Sequence, residues 1–123
     1  MNNLNKLITT QTKANLNDVY EVKKGTDHHN YVITKHDEET TKDNIIAEIG
    51  FQDGPRAEEN SIHGIIDSDL LEIVKDRLKF FQDGPYNSIY TETALYHVNK
   101  ALDALNDRVE DRLKRNVLGK YEK

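Results

Sequence analysis

Two kinds of hydrophobic spacing divide the chain. Up to about Gly54, apolar residues come in short β-branched and aromatic runs, Val19-Tyr20-Glu21-Val22 and Tyr31-Val32-Ile33-Thr34, parted by the polar segment Lys24 to Asn30. That pattern predicts a β-hairpin. A third run, Asn44 to Phe51, puts Ile45, Ala47, Ile49 and Phe51 on one face and Glu48 on the other, after a polar connection from Lys35 to Asp43. Leu4, Leu7 and Ile8 in the first dozen residues either add an edge strand or fray.

From Asp67 onward the period becomes helical. Leu70, Leu71, Val74, Leu78 and Phe81 recur at spacings of three and four, with Asp67 or Ser68 as the expected N-cap and Asp69 in the first turn. Gly84, as a left-handed terminal residue, and Pro85 are expected to stop this helix. A second helix is predicted from Asn87 or Ser88 to about Val117, its stripe formed by Ala94, Leu95, Val98, Ala101, Leu102, Leu105, Val109 and Leu113. The expected fold is therefore α+β: a small antiparallel β-sheet in a lobe over residues 1–54, then an antiparallel helical hairpin over 55–123.

The predicted second helix, at roughly 43 to 45 Å, is far longer than the first, at about 23 to 25 Å. A short helix and a small sheet can hardly cover its whole stripe. The long helix is thus expected to pair with its copy in another subunit, the alternative being a sheet folded along its full length.

Composition narrows the function. Seventeen basic against 22 acidic residues leave a net charge of -5, unlike a protein that tracks a nucleic-acid backbone, so a DNA or RNA polymer is not an expected partner. A small phosphorylated ligand remains compatible, because a few converging arginines can hold one. There is no Cys, which removes disulfides, thiolate nucleophiles and Cys-based zinc sites together. No export signal and no membrane span is read, so the chain is expected to be cytosolic.

One pentapeptide occurs twice, Phe51-Gln52-Asp53-Gly54-Pro55 and Phe81-Gln82-Asp83-Gly84-Pro85. Asp-Gly-Pro makes a turn and leaves Phe and Gln displayed before it; the alternative is two unrelated turns made of the same parts. Arg108, Arg112 and Arg115 fall at i, i+4 and i+7, so they share a face near the end of the second helix. Guanidinium forks there, with a ring such as Phe81 or Tyr86, would suit a nucleotide. The plainer reading pairs the same arginines with Asp107, Glu110 and Asp111 on a solvated surface. The five histidines, His28, His29, His36, His63 and His97, lack metal-ligand spacing, and no Ser/His/Asp set or Gly-rich phosphate loop is readable. Neither a catalytic residue, a metal nor a cofactor is assigned.

Taken together, Gly54-Pro55, Gly64, the run from Leu70 to Tyr86 with its Phe-Gln-x-Gly-Pro-aromatic end, Ala94-Leu95, Ala101-Leu102, Leu105, Arg108, Arg112, Arg115, Val117 and Gly119 resemble the phage signal-sponge family. That family comprises Thoeris anti-defence proteins and related anti-CBASS nucleotide sponges, and the match covers about residues 46 to 120. The β-rich lobe looks more like the Thoeris branch.

The resemblance implies a non-enzymatic role in the cytoplasm of an infected bacterial host. Members sequester cyclic nucleotide immune signals, such as a glycocyclic isomer of ADP-ribose made by Thoeris TIR proteins, and some hold cyclic di- or trinucleotides. They work as homodimers or as hexamers of dimers, with ligand between hairpins of neighbouring subunits. By position, the phosphate-binding residues implied are Arg108 and Arg112, then Arg115, with Phe81 or Tyr86 stacking beside Pro85, Thr91 bonding a ribose or phosphate, and Arg56 closing the pocket. The sequence departs from the family at His63-Gly64 for Asn-Gly, at Ser88-Ile89-Tyr90-Thr91 for Cys-Arg-Glu-Asn, and at Asn116 and Leu118 for Gly and Glu. These changes bear on which ligand is held more than on the fold. The competing class is an adaptor whose hairpin dimerises and binds a protein.

Overall fold

A computed structural model describes residues 3–11, 13–23, 25 and 28–120. Its elements are β1 (Leu4–Lys6), β2 (Asn17–Val22), β3 (Asn30–Lys35), β4 (Ile45–Gly50), α1 (Asp67–Gln82) and α2 (Ile89–Lys114). The expected α+β order holds. Contacts divide the chain into two compact units, the first ending at Gly64 and the second starting at Ile65.

The first unit is a four-stranded antiparallel meander in the order β1-β2-β3-β4. The opening residues do form the edge strand, pairing Leu4 with Val22 and Lys6 with Tyr20. Of the β2–β3 turn, Lys24, Thr26 and Asp27 lie outside the described residues. Strand β4 alternates half-buried and exposed as its sequence predicts, with Ile45, Ala47 and Ile49 inward and Glu48 outward. A register shift between Ile33 and Thr34 leaves Ile46 with no partner opposite, and the alternation of β4 puts its side chain on the exposed face with Glu48. Val22 and Val32 are buried, and Tyr31 meets Phe51 edge to face at 5.7 Å.

Beyond β4 the chain is closed into a loop by backbone bonds between Asp53 and Ile62 in both directions. Gly54 takes φ 86° in this loop, a conformation glycine adopts without cost. Gly64 is required for a different reason. A Cβ there would sit 2.5 Å from the Gly50 carbonyl oxygen and 2.5 Å from the Phe51 carbonyl carbon.

The second unit is an antiparallel helical hairpin. The α1 start differs from expectation: Ile66 is the N-cap, and its N–H donates to Asp69 Oδ2 at 3.0 Å. Asp69 at N3 thereby supplies the reaching-back half of a capping box, which an Ile N-cap side chain cannot reciprocate. The α1 end is also corrected. Gly84 is not left-handed; Asp83 caps the helix in a right-handed conformation and Gly84 N–H bonds Phe81 O at 3.2 Å, a tightened last turn before Pro85.

Helix α2 starts as expected at Ser88, whose Oγ accepts from Thr91 N–H at 3.1 Å. It ends at Lys114, three residues early, because Asn116 turns left-handed with φ 58°. Val117 N–H reaches Arg112 O and Asn116 N–H reaches Leu113 O, the two bonds of a Schellman ending. Asn stands where the resembled family has Gly, and is among the few residues that tolerate this conformation. Rise per residue gives α2 about 39 Å and α1 about 24 Å. Leu102 is buried and Leu95, Val98 and Leu105 are half-buried, while Ala94, Ala101, Val109 and Leu113 stay exposed. Within the hairpin, α1 therefore covers the stripe only in part.

Candidate functional site

The hairpin tip is built by the second copy of the pentapeptide. Gln82 Oε1 accepts from Ser88 N–H at 3.2 Å and Asn87 Nδ2 donates to Gly84 O at 3.0 Å, so amides from both sides pin the connection between the helices. With its polar groups occupied, the tip presents rings. Phe80, Phe81, Asp83, Gly84, Pro85 and Tyr86 line an open hollow of about 520 Å³ whose walls are chiefly apolar. Phe80 and Phe81 meet edge to face at 5.3 Å, and the Arg77 guanidinium lies over the Phe81 ring at 5.5 Å. Tyr86 is 80% exposed, and Tyr90 in the first turn of α2 is 83% exposed.

The first copy of the pentapeptide works alike. Gln52 Oε1 accepts from Gly64 N–H at 3.1 Å and from Arg56 Nε at 2.9 Å, while Gln52 Nε2 donates to Gly54 O at 2.9 Å. In both copies the glutamine oxygen captures a backbone N–H downstream of the turn it precedes. The repeat is thus a loop-closing device in each unit. Arg56, expected at a ligand, donates its second bond to Gly64 O at 2.8 Å and braces the 52–64 loop.

The three arginines of α2 have separate fates. Arg112 is only 7% exposed and donates from one terminal nitrogen to Val117 O and Lys120 O, both at 2.9 Å. It ties the segment after the helix back onto it. Arg115 Nε donates to Asp111 Oδ2 at 3.1 Å, the i, i+4 pair of the plainer reading. Arg108 is exposed, and among the described residues nothing bonds its guanidinium. Arg108 follows Ser88 by twenty residues, about 30 Å along the helix axis. Phe81, Pro85 and Tyr86 therefore gather at one end of the hairpin and the arginines at the other. Thr91 is half-buried at the N-cap, its Oγ1 accepting from Ser88 Oγ at 3.1 Å.

Two further residues, which the sequence reading had not placed, belong to this end of the hairpin: Phe80, which lines the hollow, and Arg77, which covers the Phe81 ring. The signal was present in the Arg77–Phe81 spacing of four, which stacks two side chains on one helix face.

A second polar cluster lies in the sheet unit. Asp18, nearly buried, accepts from His36 Nδ1 at 2.8 Å and Asp37 N–H at 3.0 Å, with Lys6 Nζ at 3.6 Å. The His36 bond first, then the Asp37 N–H, hold its carboxyl below the usual carboxylate range. Ligand atoms of Asp18, His36 and Asp37 all lie within 4.8 Å of one another. Since a lysine and two hydrogen-bond donors already serve Asp18, this group acts as a brace joining β1, β2 and the end of β3. Glu21, almost fully buried, accepts from His28 N–H at 2.6 Å, which likewise lowers its pKa. Among the described residues no helix is long and apolar enough to cross a membrane.

No family model matches the chain. Comparison with curated proteins finds Thoeris anti-defense 1 of Bacillus phage SBSphiJ7, 35% identical over 78 residues, which are 63% of this chain and 54% of that protein. This chain is similar to a Thoeris anti-defence protein. The resemblance read from the sequence and the similarity found by comparison thus point to the same group. The chain spans about half the length of the curated relative it matches.

Proposed function

We propose that this protein counters a bacterial Thoeris defence by sequestering its cyclic nucleotide signal, a glycocyclic isomer of ADP-ribose, without cleaving it. The observation that carries this reading is the 35% identity over 78 residues to a phage protein named Thoeris anti-defense 1. The ring-lined hollow supports it, since a purine stacks on Phe81 or Tyr86 and Pro85 walls the cavity. Cyclic di- and trinucleotides share the base and phosphate chemistry and belong to the same ligand class.

A ligand touching both a tip ring and Arg108 must bridge about 30 Å within one hairpin, which a cyclic nucleotide cannot do. The proposed binding form is therefore a homodimer, or a hexamer of dimers, in which the tip of one hairpin meets the open end of another. Exposed Val109 and Leu113 on the same stretch of α2 as Arg108 give such packing an apolar seam. In it Arg108 contacts phosphate and Thr91 lies at the ribose, while Arg112 and Arg115 keep their bonds to the carbonyls after the helix and to Asp111. The proposed place of action is the host cytoplasm.

Calorimetric titration with cyclic ADP-ribose isomers and cyclic dinucleotides, on material sized by light scattering, tests this. Saturable binding by an oligomer, lost in Arg108→Ala, is expected; a monomer that binds none of the panel sinks the reading. An adaptor module is the second reading, favoured by the internal engagement of Arg112 and Arg115. It expects no heat from any nucleotide.

A further inference from the structure

The chain has five arginines, and their hydrogen bonds sort them. Arg56 is spent on Gln52 and Gly64, Arg112 on two backbone carbonyls and Arg115 on Asp111. Arg77 and Arg108 remain, exposed and with no hydrogen bond or ion pair to their guanidinium groups among the described residues. Arg108 is a helix length away from the hollow of its own chain. Arg77 lies one helical turn before Phe81, a ring in the wall of the hollow, with its guanidinium 5.5 Å from that ring's centre.

With its guanidinium over Phe81, Arg77 keeps five N–H donors that no protein acceptor among the described residues takes up. A phosphate oxygen pair meets such a donor fork bidentately. The hollow beside it takes a planar apolar body, and Asp83 on its wall can accept from an exocyclic amine or a ribose hydroxyl while repelling phosphate toward the arginine. Ring surface, cation and acid are thus all supplied by α1 and the tip of a single chain.

We infer that Arg77 is a ligand-binding residue, its guanidinium meeting a phosphate of a nucleotide whose base lies in the hollow formed by Phe80, Phe81, Pro85 and Tyr86. This rests on the nucleotide-sequestration reading and adds a contact made within one chain to those made between chains. It also assigns Phe81 two tasks, stacking the base and holding the arginine in place.

The test compares the parent, Arg77→Gln and Arg77→Lys by calorimetric titration with a glycocyclic ADP-ribose isomer, with circular dichroism and light scattering on each. The expected result is a parent that binds, an Arg77→Gln variant weakened about ten- to hundredfold with unchanged fold and size, and an Arg77→Lys variant weakened less than the Gln variant, since it keeps the charge but not the fork. Binding by Arg77→Gln within about twofold of the parent overturns the inference and leaves sequestration standing. A parent that binds no isomer defeats the sequestration reading itself, and the role of Arg77 with it.

Discussion

Arg112 and Arg108 are four residues apart on one helix and do different work. Arg112 hydrogen-bonds the carbonyls of Val117 and Lys120, so Arg112→Ala strands two acceptors and should cost about 1.5–3 kcal/mol in urea unfolding. Arg108→Ala should stay within about 0.5 kcal/mol of the parent. A double Arg108/Arg112 variant therefore mixes lost binding with lost stability, and the single variants separate them. At Asn116, φ 58° favours Asn or Gly, so Asn116→Ala should lose about 1 kcal/mol while Asn116→Gly stays near neutral. The two buried acids set the response to pH. Asp18 and Glu21 are held below their ordinary values of 3.8 and 4.5, so the stability they contribute is complete above those values and lost as pH falls through them toward the lower folded ones. Urea midpoints should fall in that acid range, less steeply in Asp18→Asn.

Among the elements, β2, β3, β4, the hairpin and the Ser88 cap were legible because each is written in local spacing: period two for strands, three and four for helices, a hydroxyl before an apolar run. The edge strand was open to two readings, since three residues with one apolar side chain carry little pattern. The ends of the helices were the hardest. Asn116 itself was the one local sign that the chain turns left-handed there, and the use of Arg112 depends on carbonyls five and eight residues on, beyond any helical spacing. The same holds for Gln52 and Gln82, whose turn residues were plain in the sequence but whose partners, Gly64 N–H and Ser88 N–H, were not. Of the candidate site, the ring cluster of Phe81, Pro85 and Tyr86 was readable as one turn, whereas the separation of rings from arginines appears only once α2 is laid out as a straight rod. Gly64 offers a direct check on the loop. Gly64→Ala drives a methyl group into the Gly50–Phe51 backbone and should destabilise the sheet unit by about 1–3 kcal/mol in thermal or urea unfolding.

For the molecule as a whole, the hairpin alone leaves Ile73, Phe80, Tyr86, Ile89, Tyr90 and Leu113 more than half exposed, an amount of apolar surface that a second copy would cover. Leu113→Asp should shrink the particle in light scattering while leaving the helical circular dichroism intact, and nucleotide affinity should fall with assembly. Affinity that depends on assembly is useful to a sequestering protein, because ligand enclosed between subunits is shielded from water and released slowly. The central claim, capture without chemistry, is tested most directly by release. Protein incubated with a glycocyclic ADP-ribose isomer, freed of excess ligand and then heat-denatured should return the intact isomer in stoichiometric amount. Recovery of a cleaved product, or of no nucleotide at all, contradicts the account.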